Sequence, residues 1–132
     1  MLIKAVVTLA MMGTVVGSTL ANEHVVVNIK EQRLYLYRDG HPTFTTELST
    51  GRRSLPTPRG EFSVSNKDEH HISTIYQCPM PYYLRLSGEP FGIHYGYNPG
   101  YPASHGCIRV GKMRDAAYLF RVVPTGTTVT VE

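Results

Sequence analysis

Cysteine, charge and long apolar runs are all scarce in this chain. Its 132 residues include only two cysteines, Cys78 and Cys107, which excludes the multi-bridge framework of small disulfide scaffolds. A single bridge between them, closing a loop of roughly 30 residues, remains one reading, and a reactive thiol remains the other. Charged residues make up 17% of the chain against 42% hydrophobic, so the regime of disordered chains is excluded and a folded domain is expected. Thirteen Lys and Arg against ten Asp and Glu leave a formal charge of +3 with no basic run, so no nucleic-acid footprint is expected. Repeats and low-complexity tracts are missing as well, and the length suits one hydrophobic core.

The apolar run from Ala5 to Gly17 falls short of the roughly 20 residues that a spanning helix needs. Lys4 precedes it and Ser18-Thr19-Leu20-Ala21 ends it in small residues, the layout of a secretory signal peptide. The expected organisation is a signal peptide at 1–21 and one exported domain at 22–132, with no stable membrane span after cleavage.

What is present in 22–132 is mostly strand signal. Val25, Val27 and Ile29 alternate with polar or outward positions, Leu34 and Leu36 do the same, and Asp39-Gly40 is a hairpin turn returning into Thr43 to Leu48. Gly51 to Gly60, with Pro56 and Pro58, reads as a loop before a short strand at Glu61 to Ser65. Asn66 to Ser73 is polar, and its His70 and His71 are expected in solvent, like Arg52 and Arg53. Tyr82 to Leu86 and Phe91 to His94 read as strands, Gly96 to Gly106 as a loop, and Thr127 to Val131 as a closing strand. Helical spacing occurs once: Met113, Ala116, Ala117 and Phe120 recur at three and four, and Pro124 ends the run. The expected fold is a mostly β, antiparallel, sandwich-like domain with one packed α-helix near the C-terminus.

The segment Gly92 to Val110, GIHYGYNPGYPASHGCIRV, carries the chemistry. His94 ends a strand, a short excursion follows, and Ser104-His105-Gly106-Cys107 brings a thiol back to it. A neighbouring imidazole, with an ordinary pKa of about 6.5, is the base that generates the attacking thiolate, so the pair is expected to titrate as a unit. Gly106 permits a tight turn that aims backbone N–H groups at an oxyanion. A zinc site from His94, His105 and Cys107 lacks CxxC or HxxxH spacing, so no metal or cofactor is expected. Cys78, in Gln77-Cys78-Pro79, has no such context and reads as a partly buried small residue.

Ser104 to Arg109 (SHGCIR), Ile93 to Gly96, Thr57 to Phe62 (TPxGxF), Pro99 to Cys107 and Met80 to Tyr82 resemble, in this order, the L,D-transpeptidase catalytic domain of bacterial cell-wall enzymes. The resemblance implies that Cys107 is the nucleophile, that His94 pairs with it and is fixed by a backbone carbonyl close to Tyr95, and that the backbone of His105, Gly106 and Cys107 forms the oxyanion hole. It places Arg109, Tyr82, Ser104 and Tyr95 around the substrate, with Arg109 as the cation for a carboxylate. The implied partners are peptidoglycan stem peptides and, as acceptor, a second stem or a lipoprotein; the implied place is the periplasm or cell-wall space. Hydrolysis of the same thioester, or a non-catalytic peptidoglycan-binding module, are the alternatives.

Overall fold

Alternating residues become strands, and those strands close on themselves. A computed structural model describes residues 22–132, and the expected signal peptide at 1–21 lies outside the described residues. The strands are β1 (Glu23–Asn28), β2 (Arg33–Arg38), β3 (His41–Ser49), β4 (Gly60–Ile72), β5 (Pro79–Leu86), β6 (Gly92–Tyr95), β7 (Ile108–Val110) and β8 (Thr128–Val131). One helix, α1 (Met113–Val122), stands between β7 and β8. The strand order around the closed barrel is β1-β2-β3-β7-β6-β5-β4-β8. β8 runs parallel to β1, and β7 runs parallel to β6; the other neighbours are antiparallel.

The expected antiparallel sandwich is therefore corrected to a closed, mixed barrel, while the mostly β content and the single late helix hold. Period-two alternation says which side chains face inward and is silent on which strands are neighbours. Both parallel contacts come from short strands late in the chain, so no hairpin signal announces them. β4 is also longer than expected, because the polar stretch after Ser65 continues the strand. Its first residues pair with β8 and, past a register shift at Val64/Asn66, the rest pair with β5. Backbone pairing holds this second half in place, and its largely exposed side chains left no apolar alternation to read.

The core is aliphatic. Val25, Val27, Leu34, Leu36, Leu86, Ile93, Ile108 and Val129 are each no more than 2% exposed. Helix α1 lies against β5, β6 and β7. It buries Asp115, Ala116 and Leu119 and leaves Met113 half exposed, so its inner face is turned from the one expected. The reason is Asp115, whose carboxylate accepts the Thr46 hydroxyl at 2.7 Å and ties the first helical turn to β3. No helix among the described residues is long and apolar enough to cross a membrane.

Leu119 is 1% exposed at the centre of this contact. Leu119→Ala should cost about 2–5 kcal/mol, from lost transfer energy plus the cavity left behind. Urea denaturation reads this directly, and an unchanged midpoint would mean that α1 is not part of the cooperative core.

Candidate active site

The strand pairings decide which side chains meet. Leu84, Ile93 and Ile108 are laterally paired and face the core, so the alternate residues Tyr83, Arg85, His94 and Arg109 share the opposite face of β5, β6 and β7. Cys107, one residue before β7, joins that face by the same parity. The loop Gly96 to Gly106 is the crossover of the parallel β6–β7 pair, and it returns the thiol beside the strand that carries the imidazole.

His94 is 5% exposed. Its Nδ1–H donates to the Tyr95 carbonyl at 2.6 Å, which fixes the tautomer and leaves Nε2 as the lone-pair nitrogen. That Nε2 is buried without a hydrogen-bond partner. Burial lowers the pKa of His94 to about 4; the Tyr95 carbonyl pulls it back up, and the charges of Arg109 and His71 push it further down. Burial also pushes the Cys107 thiol up, offset by hydrogen bonds from the Gly92 backbone and the Tyr83 hydroxyl and by the charges of Arg109 and Arg85. Burial thus disfavours charge on both thiol and imidazole, and the His94 Nε2 lone pair is left without a partner. The ordinary imidazole value of about 6.5 is thus lowered to about 4, because desolvation outweighs the carbonyl.

The turn before Cys107 is held from inside. Gly106 has φ +127°, a conformation that disfavours any side chain. Ser104 Oγ accepts the Gly106 N–H at 3.0 Å and donates to the Cys107 carbonyl at 2.5 Å. Ser104, expected near substrate, lines the cavity that Cys107 opens onto and, at 1% exposed, also braces the turn. Because the Gly106 N–H is taken up by Ser104, it is not offered to an oxyanion in this state. Thr57 Oγ1 donates to the Gly106 carbonyl at 2.7 Å and accepts the Gly51 N–H at 2.8 Å, latching the Pro56–Pro58 loop to the turn.

His105 is fixed at the cavity wall. Its Nε2 accepts Arg52 Nη2 at 2.9 Å, and its ring stacks on Tyr76 with centroids 4.5 Å apart. Arg52, expected to face water alone, therefore clamps the turn before Cys107. His71, also expected in solvent, lies 3.3 Å from Asp68 and packs its ring on Tyr83 at 4.2 Å.

Cys107 opens onto a cavity of about 570 Å³ lined by His94, Arg109, Met80, Phe91 and Tyr97, among others. Cys78 borders it too, and both thiols are free. Arg109 donates to the Tyr97 carbonyl at 3.3 Å. Tyr95 meets His94 through its carbonyl, while its side chain packs against the core. Tyr82, expected around the substrate, lines neither this cavity nor a smaller one behind the thiol; it packs edge-on to Phe120 with centroids 5.7 Å apart. Its φ is +58°, and the next residue, Tyr83, shares the smaller cavity with the thiol. Thr57 stood in the TPxGxF motif without a role, and Tyr83 had no signal except its position next to Met-Pro-Tyr.

A family model for the YkuD-type L,D-transpeptidase catalytic domain matches residues 22–131. YkuD of Bacillus licheniformis is 33% identical over 110 residues, covering 81% of this chain and 64% of its own length. YkuD of Bacillus subtilis is 32% identical over 111 residues, covering 82% and 65%. The chain thus spans just under two thirds of these curated relatives. A crystal structure of a cysteine-to-serine mutant of Enterococcus faecium L,D-transpeptidase matches with a TM-score of 0.75 and 28% identity, over 84% of this chain and 50% of that one.

Two outcomes follow from this geometry. Thr57→Val keeps the shape but leaves the buried Gly51 N–H and Gly106 carbonyl unpaired, and should cost about 2–4 kcal/mol in urea unfolding; wild-type stability would show that the latch carries no energy. The second concerns acid. The unfolded chain takes up the His94 proton at about 6.5, whereas the folded protein refuses it until about 4. This contribution is complete above about pH 6.5 and is lost as pH falls toward 4, for a total of about 3 kcal/mol. His94→Gln should remove that share of the acid sensitivity, and identical stability-versus-pH curves for both proteins would refute the assignment.

Proposed function

The chain belongs to the L,D-transpeptidase catalytic domain family, and on that premise we propose that it is an exported cysteine acyltransferase acting on peptidoglycan stem peptides. One observation carries this reading above the others: a buried imidazole nitrogen without a partner, held in one tautomer by the Tyr95 carbonyl, on the sheet face that also carries a thiol at the head of a cavity.

In the proposed reaction His94 Nε2 takes the Cys107 proton as sulfur attacks the carbonyl that joins the third residue of a stem, at its L-centre, to a terminal D-amino acid. The N–H groups of His105 and Cys107 are the donors proposed for the oxyanion, since the Gly106 N–H is turned to Ser104. Collapse breaks the C–N bond, the leaving amine takes the proton from His94, and the stem remains as a thioester on Cys107. An amine of a second stem, or of a lipoprotein, then attacks that thioester, gives its proton to His94 and releases the thiolate, which recovers it. Water in place of the amine gives carboxypeptidase cleavage. Arg109, at the cavity wall beside His94, is the proposed cation for the stem carboxylate. Periplasm or cell-wall space is the proposed location, reached through the signal peptide at 1–21.

Incubating the purified protein with isolated muropeptides and weighing the products separates the acceptors: cross-linked dimers, or stems shortened by one residue. Cys107→Ala should abolish both products while its circular dichroism stays that of the wild type. Turnover by the wild type should fall as pH drops through about 4, where His94 becomes protonated. Wild-type product levels from Cys107→Ala would end the proposal.

A further inference from the structure

Tyr83 is absent from the reaction as described so far, yet it is the largest fully buried side chain in the domain, 2% exposed, and it stands beside the nucleophile. Its ring lies nearly parallel to that of His94, with centroids 5.8 Å apart and planes inclined by 16°. Together with Cys107, His71 and Arg85 it lines a second cavity of about 270 Å³ behind the thiol. The Arg85 guanidinium sits over the Tyr83 ring at 5.2 Å.

The backbone makes room for this placement. Gly92 of β6 lies opposite Arg85, and a Cβ built on it would stand 2.9 Å from Tyr83 Cε1 and 2.2 Å from the Leu84 carbonyl oxygen. The bare glycine lets the phenol cross β6 toward the sulfur. There the phenol and the Cys107 thiol line the same cavity and act on one another, while His94 Nε2 has no partner.

We propose that Tyr83 is a further catalytic residue, a fixed hydrogen-bond donor that stabilises the Cys107 thiolate. The O–H occupies one sulfur lone pair, which leaves the S–H free to turn toward the empty Nε2. When the proton passes to His94 the Tyr83 bond becomes charge-assisted and strengthens. In the thioester the sulfur is neutral and the bond weakens, and it is regained when the acceptor expels the thiolate. Tyr83 thereby favours both half-reactions at the moment sulfur carries charge and gives up no proton itself. Burial and the neighbouring thiol push its pKa further above the ordinary phenol value, so the O–H stays a donor throughout.

The proposal rests on the transpeptidase reading only in taking Cys107 as the nucleophile. It is tested by the pH dependence of Cys107 alkylation with iodoacetamide, followed by mass spectrometry in a Cys78→Ser background. The charged and titratable groups around the sulfur are His94, Tyr83, Arg85 and Arg109, and the cavities it borders also present His71, His105, Cys78, Glu89 and the phenols of Tyr76, Tyr95 and Tyr97. Tyr83→Phe keeps the ring and removes the O–H; alkylation at pH 7 should fall about tenfold and its pH limb should move up by about one unit. A monofluorinated tyrosine at the same position, a stronger donor of the same shape, should move the limb down. A limb unmoved by Tyr83→Phe, or moved the same way by both replacements, would overturn the proposal and reduce Tyr83 to packing. A protein that shows these shifts but leaves stem peptides untouched would sink the acyl-transfer reading and leave this one standing.

Discussion

Two parallel strands cannot be joined by a tight turn, and the site depends on that constraint. β6 and β7 lie side by side and point the same way, so the chain must travel from the end of one back to the start of the other. That return is the loop from Gly96 to Gly106, and its last step delivers Cys107 beside the strand that holds His94. Thr57, Ser104 and Arg52 all act on the descending arm of this loop, through its carbonyls, its N–H and its histidine. The apolar strands beneath supply a rigid floor, since Ile93 and Ile108 are paired neighbours and fully buried. Thiol and imidazole are thus held by lateral sheet hydrogen bonds, with the chain's excursion confined to the loop between them.

Burial sets the resting protonation of the pair. A thiol and an imidazole in water near neutral pH share charge readily; here desolvation disfavours charge on either one, and the nearby cations of Arg85 and Arg109 only moderate the effect on sulfur. The arrangement disfavours the thiolate of Cys107 in the domain as it stands. Its chemical reactivity toward small oxidants and alkylating agents is correspondingly held down, because those reagents need the thiolate.

The legible part of the molecule is the part written in short-range order. Val25 and Val27, Leu34 and Leu36, and the Asp39-Gly40 turn announce their strands because each alternates within a few residues. His94 and Cys107 are readable for the same reason: a single loop brings them together. Barrel closure was out of reach, since β8 meets β1 across almost the entire domain and alternation carries no partner information. The exposed half of β4 was hidden because its order comes from backbone pairing. The exchange of Tyr82 for Tyr83 goes with one residue in the left-handed region of φ inside a strand; a tyrosine gives no hint of that, where a glycine would. Asp115 misled in a similar way, since a buried carboxylate on a helix face is legible only with Thr46 in view.

The insertion of β8 between β1 and β4 has a bearing on how the domain comes into being. Until residues 128–131 are in place, β1 and β4 each present an unpaired edge, and no local rearrangement can seal either one. Assembly therefore cannot proceed residue by residue from the front; it waits for residues 128–131 and then completes in one long-range step, a topology associated with slow folding. The nucleophile inherits that delay. β7 and its neighbours can collapse early, but the barrel that makes their floor rigid is finished last, so a partly synthesised chain carries the thiol and the imidazole without the frame that aligns them.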